Sequence, residues 1–504
     1  MTLSSHTLYT VADIRAIEQA AVATLPAYTL MQRAGTAAAG CARILLAGQH
    51  ADAAILVLAG PGNNGGDALE AASQLAQAGL KVAVLLSGEP AKLPADAQQA
   101  LQHAQASPAK FIDASSIYTT DWALVIDGMF GIGLLRAITG DISSLVATIN
   151  ALHCPVLSLD VPSGLDADTG TIVGGSAGCA IRATQTVTFI GNKAGLHTCD
   201  GRDCAGEVRV VDLDIAPQLY SPSHRQLNHV SLFSAALHAR RHNTHKGSFG
   251  DVSVLGGAPG MVGAAVLAAR TAAKCGAGRV FVATIGKRID YDSAQPELMC
   301  RLADDIDFAH TTTVAGPGLG NSREAHDFLA RALAAHAPLV LDADALNLIA
   351  VEAGLQQKLA ARKSATLLTP HPLEAARLLG ISAQRVQADR LAAAQALATK
   401  FNAVTILKGS GSVIAAPCGD LVINSTGNPA LATAGSGDVL SGLCGALLAQ
   451  SWPVWEAALA AVWLHGQAAD NLVQRGIGPI GVTASELIPE IRAALNQLTQ
   501  QQGH

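Results

Sequence analysis

The fold of this 504-residue chain is limited most by a regular alternation of short apolar runs with longer helical segments. Apolar runs of this length are typical of strands buried on both faces of a parallel sheet, with helices as the crossovers. Helix-like stretches such as 66–78 and 95–105 separate the runs. The predicted strands of the first half are 54–58, 82–86, 124–126, 156–159, 186–190 and 208–211.

The alternation is interrupted once and then begins again. The stretch Asp212–Asn228 contains Pro217 and Pro222 and has no apolar periodicity, so we interpret it as a linker. Two α/β domains are therefore predicted, 1–220 and 228–504. The predicted strands of the second domain are 252–255, 280–283, 312–315, 339–341, 366–368, 404–407, 413–415 and 421–423, and a long helical region is predicted from 437 to 474.

Composition excludes several classes of function. Half of the residues are hydrophobic and only 14% are charged, against a usual value of about 25%. So little charge leaves apolar surface to cover, which favours a homo-oligomer. The net charge of −6 offers no basic face for nucleic acid.

The sequence also indicates the cellular compartment and whether the chain associates with a membrane. The nine cysteines form no CxxC pair, as expected for reduced thiols in a cytoplasmic protein. Met1–Gln19 lacks the apolar core of a secretory signal. Val439–Trp455 carries no charge, but it is shorter than the roughly 20 apolar residues of a membrane span. We therefore expect a cytoplasmic protein that does not interact with a membrane.

A glycine-rich segment, GPGNNGGD, follows the first predicted strand at Gly60–Asp67. It lacks the Lys-Ser/Thr of a P-loop and the GxGxxG spacing. Its glycines permit close backbone approach, and a helix that starts here would present free N–H groups to an anion. Taken alone, the segment fits either a phosphate-contacting loop or a tight turn between strand and helix.

Two further polar segments follow predicted strands of the same sheet. DGMFGIGLLR begins at Asp127, and LDVPSGLDADTG contains Asp160 and Ser163. The carboxyl ends of parallel strands meet at one edge of a sheet, so these segments and Asn64 should converge on one cleft. Oxygen ligands such as these suit a hard cation.

The order and spacing of these three segments resemble the NAD(P)H-hydrate epimerase family over residues 9–213. The resemblance implies a Rossmann-like three-layer α/β domain, a potassium ion bound by Asn64, Asp127 and Ser163, and a catalytic Asp160. Lys193 lies where the family often has a lysine near the site, although a solvated loop lysine is an equal alternative. The implied substrate-binding residues are Asn63, Asn64, Gly65, Gly66, Asp67, Gly131, Ile132, Gly133, Leu134, Leu135, Arg136, Ala137 and Asp160.

This chain departs from the epimerase pattern in the same loops. Ala68 stands where the family usually has glycine, and Ile132 stands where threonine is common. The segment LLRAITG replaces a more usual Asn-Arg-Pro. The hydrogen bonding of these loops to the substrate is therefore expected to differ from that of other members.

Two glycine-rich segments mark the second domain. KGSGS at Lys408–Ser412 follows a predicted strand, and GNPALATAGSGDVLSG at Gly427–Gly442 leads into a helix. Free N–H groups at that helix start could hold a phosphate or a developing anion. Asp438 lies in the first turn of this helix, where its carboxylate could act as a cap, a role that Asn428, Thr433 or Ser436 could also fill.

The GSGD start of this helix resembles the ribokinase-like α/β fold. HKGSFGDVSVLGG, AGPGLG, DADALN, TPHPLEAARLL and LKGSGS resemble more narrowly the ADP/ATP-dependent NAD(P)H-hydrate dehydratases, from about His242 onward. The resemblance implies a catalytic, substrate-contacting Asp438, with the hydrate near Gly318, Gly320 and His371. It also implies ADP as phosphoryl donor, with Mg²⁺. The implied nucleotide-binding residues are Lys408, Gly409, Ser410, Gly411, Ser412, Asn428, Thr433, Gly435, Ser436 and Gly437.

Together the resemblances predict a bifunctional enzyme that repairs hydrated NADH and NADPH (NADHX and NADPHX). The first domain would interconvert the R and S epimers, and the second would dehydrate the S form, releasing AMP and phosphate. A ribokinase-like vitamin or thiazole kinase with an accessory Rossmann-like domain is the alternative. A non-enzymatic scaffold is a third possibility, although it would not need GSGD and KGSGS. His371, between two prolines, could instead be purely structural.

Overall fold

The computed structural model describes residues 6–47 and 54–502, and the chain divides into two compact units, Met1–Arg225 and Gln226–His504. The predicted linker ends close to this division. Residues 1–5 of the segment tested for a secretory signal lie outside the described residues. No helix of the described ranges is long and apolar enough to cross a membrane.

The first unit is built around a seven-stranded sheet in which every neighbouring pair is parallel, as predicted. Its strand order is β4-β3-β2-β5-β6-β7-β9, and β1 and β8 form a separate parallel pair. The strands are β1 (Leu8–Tyr9), β2 (Ala54–Ala59), β3 (Lys81–Leu86), β4 (Lys110–Phe111), β5 (Trp122–Gly128), β6 (Val156–Leu159), β7 (Gln185–Phe189), β8 (Asn192–Lys193) and β9 (Glu207–Val211). The helices are α1 (Val11–Val22), α2 (Thr29–Leu45), α3 (Asn63–Gln77), α4 (Ala95–Ala106), α5 (Gly140–Ala151) and α6 (Gly201–Cys204).

The predicted strands of this unit are all present. Most are short apolar runs with mainly buried side chains, whereas those of the edge strand β9 are only partly buried or exposed. Three strands of the described residues were missed. Lys110–Phe111 is a two-residue edge strand with exposed side chains, and β1 and β8 are two-residue strands that pair with each other. Helix α3 begins at Asn63, three residues before the predicted start at Gly66. Asn63 and Asn64 therefore belong to the first turn of the helix rather than to the preceding loop.

Strand order places the polar loops of this unit together. From β2 the chain continues to β3 and β4 on one side, whereas β5 and β6 lie on the other side of β2. This is a topological switch point, where the connections leaving neighbouring strands diverge and open a crevice. Gly65 is required in the first turn of α3, because a Cβ there would lie 2.7 Å from the backbone nitrogen of Gly60 in the loop after β2.

The second unit contains a ten-stranded sheet of order β10-β19-β18-β17-β16-β15-β14-β11-β12-β13. Pairing is parallel from β13 through β17 and antiparallel from β17 to β19. The strands are β10 (Arg225–Leu227), β11 (Asp251–Gly256), β12 (Arg279–Thr284), β13 (Met299–Leu302), β14 (Thr312–Ala315), β15 (Leu339–Leu341), β16 (Thr366–Leu368), β17 (Val404–Leu407), β18 (Val413–Ala415) and β19 (Leu421–Ile423). The helices are α7 (Val262–Lys274), α8 (Arg323–Ala334), α9 (Ala343–Val351), α10 (Ala353–Ala360), α11 (Pro372–Leu379), α12 (Ala383–Ala388), α13 (Arg390–Phe401), α14 (Ser436–Ala449), α15 (Val454–Gln474) and α16 (Ala484–Gln502).

Three expectations for this unit were wrong in detail. The predicted linker contains β10, a short edge strand. Strand β13 at the opposite edge was missed, since its side chains are only partly buried and include Arg301. The helical region predicted for 437–474 is not continuous but consists of two helices, because Ser451 has a φ of 65° and Pro453 precedes α15.

The parallel strands of the second sheet carry the predicted motifs at their carboxyl ends. Loops that begin after β14, β15, β16 and β17 contain Gly316–Gly320, Asp342, His371 and Lys408 in that order. Because the strands are parallel neighbours, these residues share one edge of the sheet. The apolar helix α14 lies in the core of this unit, with residues 439–448 buried and its first turn, Ser436–Asp438, only partly buried.

Candidate active sites

A cavity of about 1000 Å³ opens at the carboxyl edge of the first sheet. Gly65 and Gly66 do not line it, since they face the Gly60 backbone and the Met31 side chain. Ala137 is also outside the lining and packs against Gly174. The predicted substrate-binding residues that do line the cavity are Asn63, Asn64, Asp67, Gly131, Ile132, Gly133, Leu134, Leu135, Arg136 and Asp160.

Two of the three predicted cation ligands are joined by direct hydrogen bonds. The Ser163 hydroxyl donates to Asp127 Oδ1 at 2.6 Å, and its backbone N–H donates to Oδ2 at 2.9 Å. Ser158 also donates to Asp127, and the Phe130 N–H donates to Ser163 Oγ. Asp127 and Ser163 are fully buried. Burial raises the pKa of Asp127, although these hydrogen bonds oppose the change.

Asn64, the third predicted ligand, is brought to the same place by the switch point. A Cβ on Gly128, next to Asp127, would lie 2.8 Å from the Asn64 carbonyl oxygen. Both polar atoms of the Asn64 side chain are buried and lack a hydrogen-bond partner among the described residues. A buried amide without partners beside a buried carboxylate fits a bound hard cation, which would supply the missing contact.

Asp160 forms a buried ion pair that faces the cavity. Its Oδ1 lies 2.7 Å from Nζ of Lys193, which has no exposed side-chain surface. Lys193 also donates to Thr188 Oγ1 at 2.7 Å and to the Phe189 carbonyl at 3.0 Å. Asp160 has a φ of 63°, a strained conformation for a residue other than glycine. The alternative of a solvated loop lysine is therefore wrong.

The departures from the epimerase pattern give the cavity an apolar wall. Ile132 lines it where a threonine would offer a hydroxyl, and the Leu135 side chain is 87% exposed at its rim. Ala68, in place of the usual glycine, is fully buried on α3 and does not line the cavity. This part of the cavity thus offers apolar contact to a ring rather than side-chain hydrogen bonds.

The second site centres on Asp438, in the first turn of α14. A Cβ on Gly437 would lie 3.3 Å from Nζ of Lys408 and 4.0 Å from Oδ2 of Asp342. Lys408 in turn donates to Asp342 Oδ1 at 2.8 Å, and Asp342 is buried. Although burial opposes it, the carboxylates of Asp342 and Glu374 raise the pKa of Lys408. The helix start therefore faces a charged pair.

Asp438 does not act as a helix cap. Gly435 occupies the cap position with a φ of 88°, and no hydrogen bond to the Asp438 carboxylate occurs within the described part of the chain. Ser436 instead donates to the Leu431 and Thr433 carbonyls. Burial, together with the negative charge of Asp342, raises the pKa of Asp438 to about 6. The carboxyl group is therefore available to a ligand as a base above that pH.

His371 lies at the same edge, at the start of α11. Its Nδ1 accepts the N–H groups of Leu373 and Glu374, so its Nε2 carries the proton, 3.3 Å from Glu374 Oε1. Burial raises the pKa of Glu374 to about 7. His371 thus has a structural role and also remains half-exposed at the site. Gly318 and Gly320 lie in the loop after β14, and Asp344 accepts the Gly320 N–H at 2.9 Å.

The predicted nucleotide loops form two turns. Gly409 and Ser412 are joined through the Ser412 hydroxyl, and a Cβ on Gly409 would lie 2.6 Å from the Arg390 guanidinium. Two residues lie between Gly409 and Ser412. Ser410 is exposed, whereas Gly411 is buried and has a φ of 61°.

The second turn, which contains Gly427 and Asn428, is fixed by hydrogen bonds to Asp470 on α15. Asp470 accepts the Gly427 N–H at 2.8 Å and the Asn428 side-chain amide at 2.9 Å. Thr433 lies in the same turn, half-buried before the helix start. Sequence analysis did not name Asp342, Glu374 or Asp470 as site residues. Asp342 lies in the motif DADALN and Glu374 in TPHPLEAARLL, whereas Asp470 lies in no recognised motif.

Comparison with known proteins assigns both units. A family model described as NAD(P)H-hydrate dehydratase matches residues 252–492, and one described as YjeF-related protein N-terminus matches residues 27–195. The bifunctional NAD(P)H-hydrate repair enzyme Nnr of Coxiella burnetii is 39% identical over 97% of this chain and 99% of that protein. The chain belongs to the bifunctional NAD(P)H-hydrate repair enzymes. This confirms the predicted family and its class as a bifunctional epimerase and dehydratase.

Other members and relatives of the NAD(P)H-hydrate repair enzymes match as well. The Escherichia coli repair enzyme Nnr is 35% identical over 99% of this chain and 96% of that protein. The ADP-dependent (S)-NAD(P)H-hydrate dehydratase of Neisseria meningitidis is 42% identical over 56% of this chain and 97% of that protein. A Bacillus subtilis ADP/ATP-dependent dehydratase crystallised with ATP and Mg²⁺ is 29% identical, over 54% of this chain and 98% of that one, with a TM-score of 0.47. The predicted Rossmann-like and ribokinase-like classes are confirmed for this repair enzyme.

Proposed function

We propose that the protein repairs NADHX and NADPHX, with epimerisation in domain 1–220 and ADP-dependent dehydration of the S form in domain 228–504. One observation carries the proposal. The Asp438 carboxylate, free of hydrogen bonds within the described residues, stands in the first turn of α14 beside the Lys408–Asp342 pair. A base and a cation next to free helix N–H groups are what phosphorylation of a bound hydroxyl requires.

Dehydration needs a better leaving group than hydroxide. Asp438 takes the proton from the C6 hydroxyl of the hydrate, which then attacks the terminal phosphoryl group of the nucleotide. Lys408 and the N–H groups of Ser436 and Gly437 stabilise the charge that develops. This transfer releases AMP, and loss of phosphate from C6 together with a proton from C5 then restores the dihydropyridine ring. The hydrate lies near Gly318, Gly320 and His371 in this arrangement.

The nucleotide occupies the two turns at the same edge. The residues proposed to bind it are Lys408, Gly409, Ser410, Gly411, Ser412, Asn428, Thr433, Gly435, Ser436 and Gly437. ADP as the donor is supported by the Neisseria relative named an ADP-dependent dehydratase. Mg²⁺ accompanies the nucleotide phosphates. Mutual repulsion with Asp342 contributes to the raised pKa of Asp438, and a divalent cation would relieve that repulsion.

The cavity of the first domain holds the hydrate during epimerisation. Asp160, paired with Lys193, exchanges protons at the reacting ring. The residues proposed to bind the substrate are Asn63, Asn64, Gly65, Gly66, Asp67, Gly131, Ile132, Gly133, Leu134, Leu135, Arg136, Ala137 and Asp160. Gly65, Gly66 and Ala137 do not line the cavity and act through their backbone by shaping the loops.

Potassium is proposed at Asn64, Asp127 and Ser163. The support is the buried, unpartnered Asn64 side chain beside the fully buried Asp127 carboxylate. A monovalent cation there would neutralise Asp127 and order the loops after β2 and β5. Asp160, Lys193 and the loop backbone would remain the groups that touch the substrate.

Cytoplasmic location and a homo-oligomeric state are also proposed. All nine cysteines are free, which supports a reducing compartment. The low content of charged residues supports association with further copies of the chain. Light scattering during size-exclusion chromatography measures the oligomer directly.

The alternative of a vitamin or thiazole kinase is not favoured, because the relatives that span nearly the whole chain are named for hydrate repair. The test is to incubate the chain with mixed NADH hydrate epimers and either ADP or ATP, and to follow the absorbance of the dihydropyridine. Recovery of both epimers with a nucleotide supports the proposal. Formation of a stable phosphorylated product without recovery of NADH contradicts it.

A further inference from the structure

Helix α1 brings a carboxyl group into the first cavity that none of the three glycine-rich motifs contains. Ile14, Arg15, Glu18 and Val22 all line the cavity. Positions 14, 18 and 22 are four residues apart, so one face of α1 forms part of the cavity wall. Glu18 therefore faces the same space as Asp160.

The position of α1 is set by contacts to the segment that carries Lys193. Strand β1 pairs in parallel with β8, and Tyr9 lies opposite Lys193. A Cβ on Gly191 would lie 2.6 Å from the Tyr9 ring and 3.1 Å from Ile14. The β1–β8 pair therefore fixes α1, which carries Glu18, next to β8, which carries Lys193, the ion-pair partner of Asp160.

Hydrogen bonds also fix the N-terminus of α1. Thr10 and Asp13 form a reciprocal capping pair, and the Val11 N–H donates to Asp168 at 2.8 Å. Asp168 belongs to the loop that follows Asp160. Two independent anchors thus orient α1 toward the Asp160 side of the cavity.

On this basis, and resting on the proposed epimerase function, we propose that Glu18 is the second catalytic acid/base of the first cavity, acting on the C6 hydroxyl together with Asp160. The structure gives the two carboxyl groups different surroundings. Asp160 is paired with Lys193, whereas no hydrogen bond or ion pair holds Glu18 in the described ranges. Burial and the charge of Asp160 raise the pKa of Glu18, against the smaller effects of Arg15 and Lys193.

The chemistry needs two such groups. The C6 carbon of the hydrate bears a hydroxyl and is bonded to the ring nitrogen. One carboxylic acid donates a proton to the hydroxyl, the C6–O bond breaks, water leaves, and the nitrogen lone pair forms a C=N double bond. Water then adds to the opposite face of C6 and gives a proton to the other carboxylate. One group gains the proton that the other loses, so no further reactant is consumed. Asp67, whose pKa burial raises well above its usual value, faces both groups and lines the same cavity.

The test uses the full chain and the mixed hydrate with ADP. In the wild type, NADH returns in a fast phase from the S form and a slower phase limited by epimerisation of the R form. Glu18→Gln is expected to slow the second phase by about 100-fold or more and to leave unchanged the fast phase, which arises in the second unit. Glu89→Gln is the matched control, since Glu89 is exposed and pairs with Lys92 outside the cavity.

A second variant separates catalysis from structure. Glu18→Ala should lose the second phase and regain part of it when formate is added, because a small acid can enter the space of the side chain. A second phase in Glu18→Gln within threefold of the wild type, or no response of Glu18→Ala to formate, overturns the role of Glu18 alone. A second phase in the wild type that is no faster than spontaneous epimerisation of the free hydrate overturns the proposed epimerase function, and the role of Glu18 with it.

Discussion

The Lys408 ammonium and the Asp342 carboxylate are joined at 2.8 Å, and only 1% of the Asp342 side chain is exposed. Lys408 follows β17 and Asp342 follows β15, so the pair spans the strand that lies between them. A Cβ on Gly437 would contact both residues, which places the pair directly below the start of α14. The charge at the proposed phosphoryl site therefore depends on two residues that are distant in sequence.

Removing the carboxylate from this pair should destabilise the second unit. Asp342→Asn leaves the mostly buried Lys408 ammonium without its counter-ion, at a cost of about 3 kcal/mol. We expect a lower urea midpoint for the transition of that unit. Asp307→Asn, in an exposed pair with His310, is the control and should leave the midpoint nearly unchanged, because solvent screens exposed pairs. Equal midpoints for the two variants would contradict the structural role of Asp342.

Loss of the base should separate the two activities. Asp438→Asn cannot accept the hydroxyl proton, so ADP-dependent dehydration should fall by a factor of about 10² to 10⁴. Epimerisation should be unchanged, because Asp438 belongs to the second unit. Proton NMR of the hydrate measures the epimers without nucleotide, and absorbance measures dehydration with it. Dehydration at the wild-type rate would remove Asp438 from the mechanism.

The pH profile of dehydration should report the raised pKa of Asp438. The base form is required, and its pKa is about 6 rather than the usual value near 4. kcat/KM should therefore be constant above that pKa and fall about tenfold per pH unit below it. Asp342→Asn removes the negative charge that contributes to the shift, so any residual activity should extend to lower pH. A wild-type limb near pH 4 would refute this assignment.

Asp160→Asn should affect only one epimer. The S form would still be dehydrated in the second unit, whereas the R form would be repaired at its spontaneous rate of epimerisation. Resolved R and S hydrates, each incubated with ADP and the variant, provide the measurement. Equal loss for both epimers would contradict the division of labour between the two sites.

Potassium should stabilise the first unit through Asn64. Anything that binds only the folded state raises its stability by mass action. We expect the wild type to melt at a higher temperature in KCl than in NaCl of equal ionic strength, and Asn64→Ala to lose the difference. Gln77→Ala, an exposed change on the same helix, should keep it. A difference that persists in Asn64→Ala would exclude the amide as a ligand.

Several parts of both sites could be predicted because they depend on neighbouring residues. The apolar run at 54–59 and the glycines after it specify a buried strand followed by a close approach to the backbone. Of the five strands missed in the described part of the chain, β4, β10 and β13 are edge strands, and β1 and β8 are two-residue strands that pair with each other, so their pairing depends on a neighbour rather than on their own apolar pattern. The break before α15 was missed because the apolar pattern continues across Ser451 and Pro453.

The sequence by itself determined the strands, the two α/β units and the polar loops that end the strands, because apolar runs, glycines and prolines act over a few residues. Only the tertiary structure decided which side chains meet. Strand order places Asp342 beside Lys408, 66 residues away, and the β1–β8 pair aligns Glu18 with the cavity of Asp160 and Lys193. Such pairs depend on which strands pack together, and that is settled by burial of the whole core rather than by any local pattern.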